Sequence, residues 1–227
     1  MSDEKFNPKF DIPLGVLEEK IHYHINKLMD GNGYDRIIPL RDLDTVDFMA
    51  NFKKDLLHSL IGNIVLKDSD IKPYENSKIE VYGLEPRGFN VGQTFVLESK
   101  LIGILFDLQK KFNEFITKGI SKLPPQIVYG NDYAGEKAMA FYMPPLIEIH
   151  PSDGLSLIDG AHRSFVCKGA GTTIYAVHIE NVNSPLPFKN IGWDDVRVCS
   201  EKPPLEERYN ELKPGLFRDL GSVGIDG

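Results

Sequence analysis

The sequence predicts an α/β (α+β) fold: a small mixed sheet flanked by helices and extended by an N-terminal helical region. Three observations carry this. The second half is built of short apolar or β-branched runs, QIVY, KAMAFYM, LIEIH, LSLI and TTIYAVHI, divided by Gly-Asn-Asp, Pro-Pro and Ser-Asp-Gly turns. The first half instead carries apolar residues at helical spacing. The chain, at 227 residues and 41% hydrophobic, fills one core well but is short for two independent domains.

Residues 1–10 read as a lead-in. A first helix is expected over about Pro13–Met29, where Asp11 lies just ahead and Leu14, Leu17, Ile21, Ile25 and Leu28 share a face. Gly31-Asn32-Gly33 ends it. Residues 35–43 (DRIIPLRDL) predict a short buried strand leading into a helix over about Thr45–Leu60, with Phe48, Met49, Phe52, Leu56, Leu57 and Leu60 as its apolar face. Residues 63–92 are irregular apart from a strand near Ile79–Tyr82. The strongest helical periodicity spans about Phe95–Lys118, with Gly119 suited to its C-terminal cap. Ser152-Asp153-Gly154 is a hairpin signal between LIEIH and LSLI. The tail from about 201 is proline-rich, then amphipathic (LEERYNEL), then glycine-rich and expected to fray.

Composition narrows the function classes. No apolar run approaches the roughly eighteen residues of a membrane span. The start, MSDEKFNPKFDIP, lacks the apolar segment of a signal peptide. Two cysteines, Cys167 and Cys199, are too few for a disulfide framework or a thiolate zinc site. A cytoplasmic location without membrane partners is the expectation. The net charge of −7 and the lack of a basic stripe argue against a dedicated nucleic-acid binder.

The chemistry concentrates in LSLIDGAHRSFVCKGAGTTIYAVHIENV. A strand, Leu155–Ile158, runs into Asp159-Gly160, then a short helical segment over His162–Lys168, a glycine-rich turn and another strand. Asp-Gly permits a sharp reversal, after which the first helical amides point outward and the helix dipole favours an anion. His162 and Arg163 add side-chain donors, and the arginine fork matches phosphate oxygens. Asp159 suits a metal ion or the proton of a hydroxyl. An ordinary Asp-Gly turn, with an arginine that simply pairs with an aspartate, accounts for the same residues equally well.

Ile158-Asp159-Gly160-Ala161-His162-Arg163, preceded by PPLIEIHPSDGLSL and followed by GAGTTIYAVHI, resembles the ParB/sulfiredoxin-like superfamily. The clear resemblance covers residues 144–182, and DRIIPLRDLDTVDFMANFKKDLLHSL adds a weaker one over 35–60. It implies one domain over 1–227, with its core at about 35–60 and 126–198, an insertion at about 63–125 and a flexible tail at about 201–227. It also implies that Gly160, Ala161, His162, Arg163 and Ser164 hold nucleotide phosphates. Asp159 matches the acid of the free-serine kinases in the superfamily, as metal ligand or catalytic group beside His162. Asp47, or its neighbour Asp44, matches the place of their catalytic acid. The implied cofactor is Mg²⁺ with ATP or ADP, and the implied partner a small-molecule substrate. Sulfiredoxins carry a reactive cysteine where this chain has Ala161, which argues against sulfinic-acid reduction, with Cys167 a poor substitute. The resemblance to ParB does not extend to a helix-turn-helix domain.

The leading expectation is thus a nucleotide-dependent phosphotransferase or phosphohydrolase acting on a small metabolite. The alternatives are a non-catalytic nucleotide-sensing module, in which the helix near 95–118 offers a homodimer surface, and a ParB-like nuclease. Elsewhere, His150 and His178 read as packed histidines, and His22 and His24, two apart on a helix, as unable to chelate one ion together. Glu148 reads either as facing the motif pocket or as half of a salt bridge. Trp193 reads as a core anchor in preference to a lid over a base, and Arg87 lies in a polar loop.

Overall fold

The computed structural model describes residues 8–25, 33–111 and 122–226. Along the chain the strands are β1 (Ile12–Pro13), β2 (Arg36–Ile37), β3 (Leu43–Asn51), β4 (Val65–Leu66), β5 (Lys78–Leu84), β6 (Asn90–Val91) and β7 (Phe95–Leu97). They continue as β8 (Gln126–Asp132), β9 (Lys137–Tyr142), β10 (Leu146–His150), β11 (Gly154–Asp159), β12 (Ile174–Glu180), β13 (Arg197–Cys199) and β14 (Arg218–Asp219). The helices are α1 (Leu14–Ile21), α2 (Lys54–Gly62), α3 (Glu98–Lys111) and α4 (Ala161–Gly169). The fold is mixed α/β, with parallel and antiparallel pairs in the same sheets. Among the described residues no helix is long and apolar enough to cross a membrane.

The chain forms two interleaved compact units: residues 1–64, 125–143 and 220–227 in the first, and 65–124 and 144–219 in the second. The first holds a five-stranded sheet in the order β1-β2-β9-β8-β3. Its interior is apolar: Leu17, Ile37, Ile38, Leu43, Leu60, Val128 and Met139 are fully buried. Asp132 organises the β8–β9 turn by accepting the amides of Ala134 at 2.8 Å and Glu136 at 3.0 Å. Val223 and Ile225 are also buried here, so this part of the tail packs where fraying was expected.

The second unit holds the sheet β5-β12-β10-β11-β6. β10 and β11 form the antiparallel hairpin expected at Ser152–Gly154, pairing His150 with Gly154. After α4 the chain returns as β12, which pairs parallel with β10, the strand lying between it and β11. A short 3₁₀ turn, Pro86–Gly88, packs against α4. Trp193 is buried beneath it and donates its Nε1–H to the Pro86 carbonyl at 2.6 Å. Phe89 and Phe165 flank the indole, which makes Trp193 a core anchor and not a lid.

Several expected elements differ. Residues 45–60 are not one helix: Leu43–Asn51 is the edge strand β3, and α2 begins only at Lys54. Along β3 inward and outward positions alternate over most of its length, and β8 supplies the ladder that settles the period. Helix α1 stops at Ile21, with His22 in the left-handed conformation at φ 52°, and the expected residues 26–29 lie outside the described part. Residues 95–97 are strand and α3 starts at Glu98, while residues 112–118 and the Gly119 cap lie outside the described part. LEERYNEL is not a helix: it forms the 3₁₀ turn Leu205–Glu207 and isolated bridges from Tyr209 to Gln93 and from Asn210 to Lys189.

Candidate anion site at the start of helix α4

β11 ends at Asp159 and α4 begins at Ala161, so one residue, Gly160, makes the whole reversal. It does so at φ +92°, ψ 24°, a conformation that favours glycine. A Cβ at this position would also lie 2.8 Å from the Pro145 ring. Dihedral and space both demand glycine. The first helical bond runs from the Ser164 amide to the Gly160 carbonyl at 2.9 Å, and no side chain caps the helix. The amides of Ala161 and His162 in the first turn therefore have no carbonyl partner within the helix.

The side chains divide the work differently from the sequence expectation. Arg163 donates from Nη2 to Asp159 Oδ2 at 2.9 Å, both side chains mostly buried at 14% exposure. The pair is the one that an ordinary Asp-Gly turn would make, and it also ties the guanidinium to the residue just before α4. His162 accepts the Leu97 amide on Nε2 at 3.0 Å, so its ring proton sits on Nδ1. Burial, followed by the charges of Lys100 and Arg163, pushes the imidazole down to about 4. At neutral pH His162 is an uncharged acceptor tying the start of α4 to the end of β7. Ser164 is fully buried, and its Oγ has no hydrogen-bond partner among the described residues.

Cys167, on the same helix, is buried, and burial pushes its thiol up to about 11, which leaves little thiolate for chemistry. Asp47 lies on β3 in the first unit, where it accepts the Tyr34 hydroxyl at 2.5 Å. The turn with Asp159, Gly160, Ala161, His162, Arg163 and Ser164 belongs to the second. Among the described residues no group of three or more His, Cys, Asp or Glu side chains is placed to hold a metal ion. Asp159, engaged by Arg163, offers one carboxylate, a set that fits Mg²⁺ only when nucleotide phosphates supply further oxygens.

Sequence reading missed three neighbours of the turn. The Leu97 amide approaches from the end of β7 and Lys100 from α3, and Tyr209, whose hydroxyl is raised by burial, feels the charges of Arg208 and Asp159. No local signal marks them. Tyr209 sits in the stretch read as amphipathic tail, held by a bridge to Gln93 and stacked on Phe188 at 5.6 Å.

Glu148 does not face this turn as a free acid. It takes two bonds from Arg218, Nε to Oε1 at 2.7 Å and Nη2 to Oε2 at 2.9 Å, in a fully buried ion pair. Tyr74 donates to Oε1 at 2.5 Å, and His150 Nε2 lies 2.6 Å from Oε2. Arg218 also donates to the Pro185 carbonyl at 3.2 Å and to Leu216. This saturated cluster clamps β14 to β10 and explains His150 as a packed residue. His178, also buried, stacks on Tyr82 with ring centroids 3.5 Å apart.

Comparison with protein-family models, with curated proteins and with solved structures gives no match to this chain.

Proposed function

We propose that the chain is a cytoplasmic nucleotide-binding phosphotransferase or phosphohydrolase whose phosphate site is the turn Asp159–Ser164. The observation that carries this reading is Gly160, which turns a strand into an uncapped helix start with Arg163 held beside it. Backbone donors, a positive dipole end and a fixed guanidinium are what a phosphate group needs. The resemblance of residues 144–182 to the ParB/sulfiredoxin-like superfamily supports the same assignment. Free Cys167 and Cys199 fit a reducing compartment.

In this reading the amides of Ala161 and His162 and the Arg163 fork bind and orient the phosphates. Asp159 holds Arg163 and is the carboxylate nearest to hand for Mg²⁺ carried in by ATP or ADP, an ion whose contribution is to neutralise charge on the transferred group. Positioning and charge supply the catalysis.

A second reading, a nucleotide sensor without turnover, is favoured by one specific observation. Asp159 is spent on Arg163 and His162 on Leu97, so neither stands ready as a base.

The test is a thermal-shift titration of the protein with ATP, ADP and CTP, with and without Mg²⁺, beside Arg163→Ala. A stabilising shift in the parent that is lost in the variant supports the site, since ligand binding to the native state raises the midpoint. No shift with any nucleotide at millimolar concentration returns the turn to a purely structural role. Release or transfer of phosphate under saturating nucleotide then separates enzyme from sensor.

A further inference from the structure

The turn at the start of α4 has little net charge of its own. Asp159 and Arg163 are paired at 2.9 Å with both side chains mostly buried, so their two charges cancel. His162, expected from the sequence to add a donor for phosphate, is neutral and engaged with the Leu97 amide. On the same turn the Ser164 hydroxyl is fully buried and has no partner among the described residues. A buried polar group left unmatched calls for a partner that the surrounding side chains do not supply.

The bond from Leu97 to His162 also brings a second segment of chain to the turn. Leu97 ends β7, α3 begins at the next residue and packs against α4, and Lys100 lies within the first turn of α3. Lys100 is exposed. Its charge acts on the His162 ring more strongly than that of Arg163, the next residue in the chain, as expected of an ammonium close to the imidazole. Glu98, the acid of the same helical turn, is two residues away and leaves α3 on a different side.

We infer that Lys100 is a further phosphate-binding residue of this site, the side chain that supplies the net positive charge the turn itself lacks. The inference rests on the reading of the turn as a phosphate site, and it adds the residue that makes the site attractive to an anion. Lysine suits this part. Its ammonium is a compact point charge on a flexible stem, able to follow a phosphate where a guanidinium tied to Asp159 is not. The division of labour is then plain: the first-turn amides and the Arg163 fork give direction, and Lys100 gives charge.

Isothermal titration of the whole chain with ATP and with inorganic tripolyphosphate tests this, beside Lys100→Gln, Lys100→Arg and Arg163→Ala. Lys100→Gln is expected to weaken both ligands by about tenfold or more and to make their affinities less sensitive to salt. Its melting temperature without ligand should stay that of the parent, because the side chain is on the surface. Lys100→Arg keeps the charge and should bind nearly as the parent does. Unchanged affinity in Lys100→Gln, with binding lost in Arg163→Ala, overturns this inference and leaves the phosphate site standing. An equal loss in Lys100→Arg overturns it too, because charge is then not what the side chain supplies. A parent chain that takes neither ligand removes the phosphate site itself, and this inference with it.

Discussion

The Leu97 amide donates to His162 Nε2 at 3.0 Å, and this bond joins the end of strand β7 to the first turn of helix α4, 65 positions away in sequence. It fixes the histidine as a neutral acceptor and explains why burial is tolerated there. His162 therefore positions the turn and is not a cationic clamp on phosphate.

The first prediction concerns pH. With its folded value near 4 and an ordinary value of 6.5, His162 is neutral in the native state where the unfolded chain takes up a proton. The stability it contributes is complete above pH 6.5 and is lost as pH falls through 6.5 toward 4. Because the ring is only part-buried, about 1–2 kcal/mol of that loss is expected after solvent screening. Urea denaturation at pH 7.5 and 4.5 should show a smaller difference in His162→Gln than in the parent; an equal difference assigns the acid sensitivity to other groups.

Replacing Gly160 tests the turn. Gly160→Ala forces an L side chain into φ +92° and sets a methyl 2.8 Å from Pro145, so it should destabilise by about 1–3 kcal/mol. Gly171→Ala, at φ +63° with open space around it, isolates the dihedral contribution and should cost less. Denaturation midpoints of the two variants give the comparison directly.

The buried clamp predicts a non-additive pair. Removing one partner, as in Arg218→Met or Glu148→Leu, leaves an uncompensated buried charge and should cost about 3–5 kcal/mol. The double replacement should recover most of that loss, because two apolar side chains of similar size leave no charge behind. A double-mutant cycle measures the coupling; simple addition of the two single effects would mean that the pair is not the unit.

Asp159 separates the two functional readings. In Asp159→Asn the guanidinium of Arg163 loses its local counter-charge, so nucleotide affinity should hold or rise by a few-fold. If the site catalyses phosphoryl transfer through that carboxylate, turnover should fall by about 10²-fold or more in the same variant. Isothermal titration and a phosphate-release assay on one preparation read both quantities.

Much of this was legible along the chain. The alternating runs QIVY, KAMAFYM and LIEIH form β8, β9 and β10, and Ser152–Gly154 makes the hairpin, because each signal lies within a few residues of the structure it produces. Asp159-Gly160 announces its turn in the same way, since the need for a left-handed residue between strand and helix is local. Residues 45–51 misled because Phe48 and Met49 suit a helical face as well as a strand, and only pairing with residues 126–132 decides between them.

By itself, then, the sequence determined the mixed α/β class, the sharp reversal at Gly160 and the pair of residues, Asp159 and Arg163, four apart on one turn of chain. Tertiary structure alone decided what the polar groups do. Glu148 became half of a buried clamp because Arg218 returns to it from 70 residues away, and His162 became a neutral acceptor because the Leu97 amide was brought to its ring. A side chain's charge and hydrogen-bonding role are set by desolvation and by the partner it meets, and both depend on distant segments that no local pattern reports.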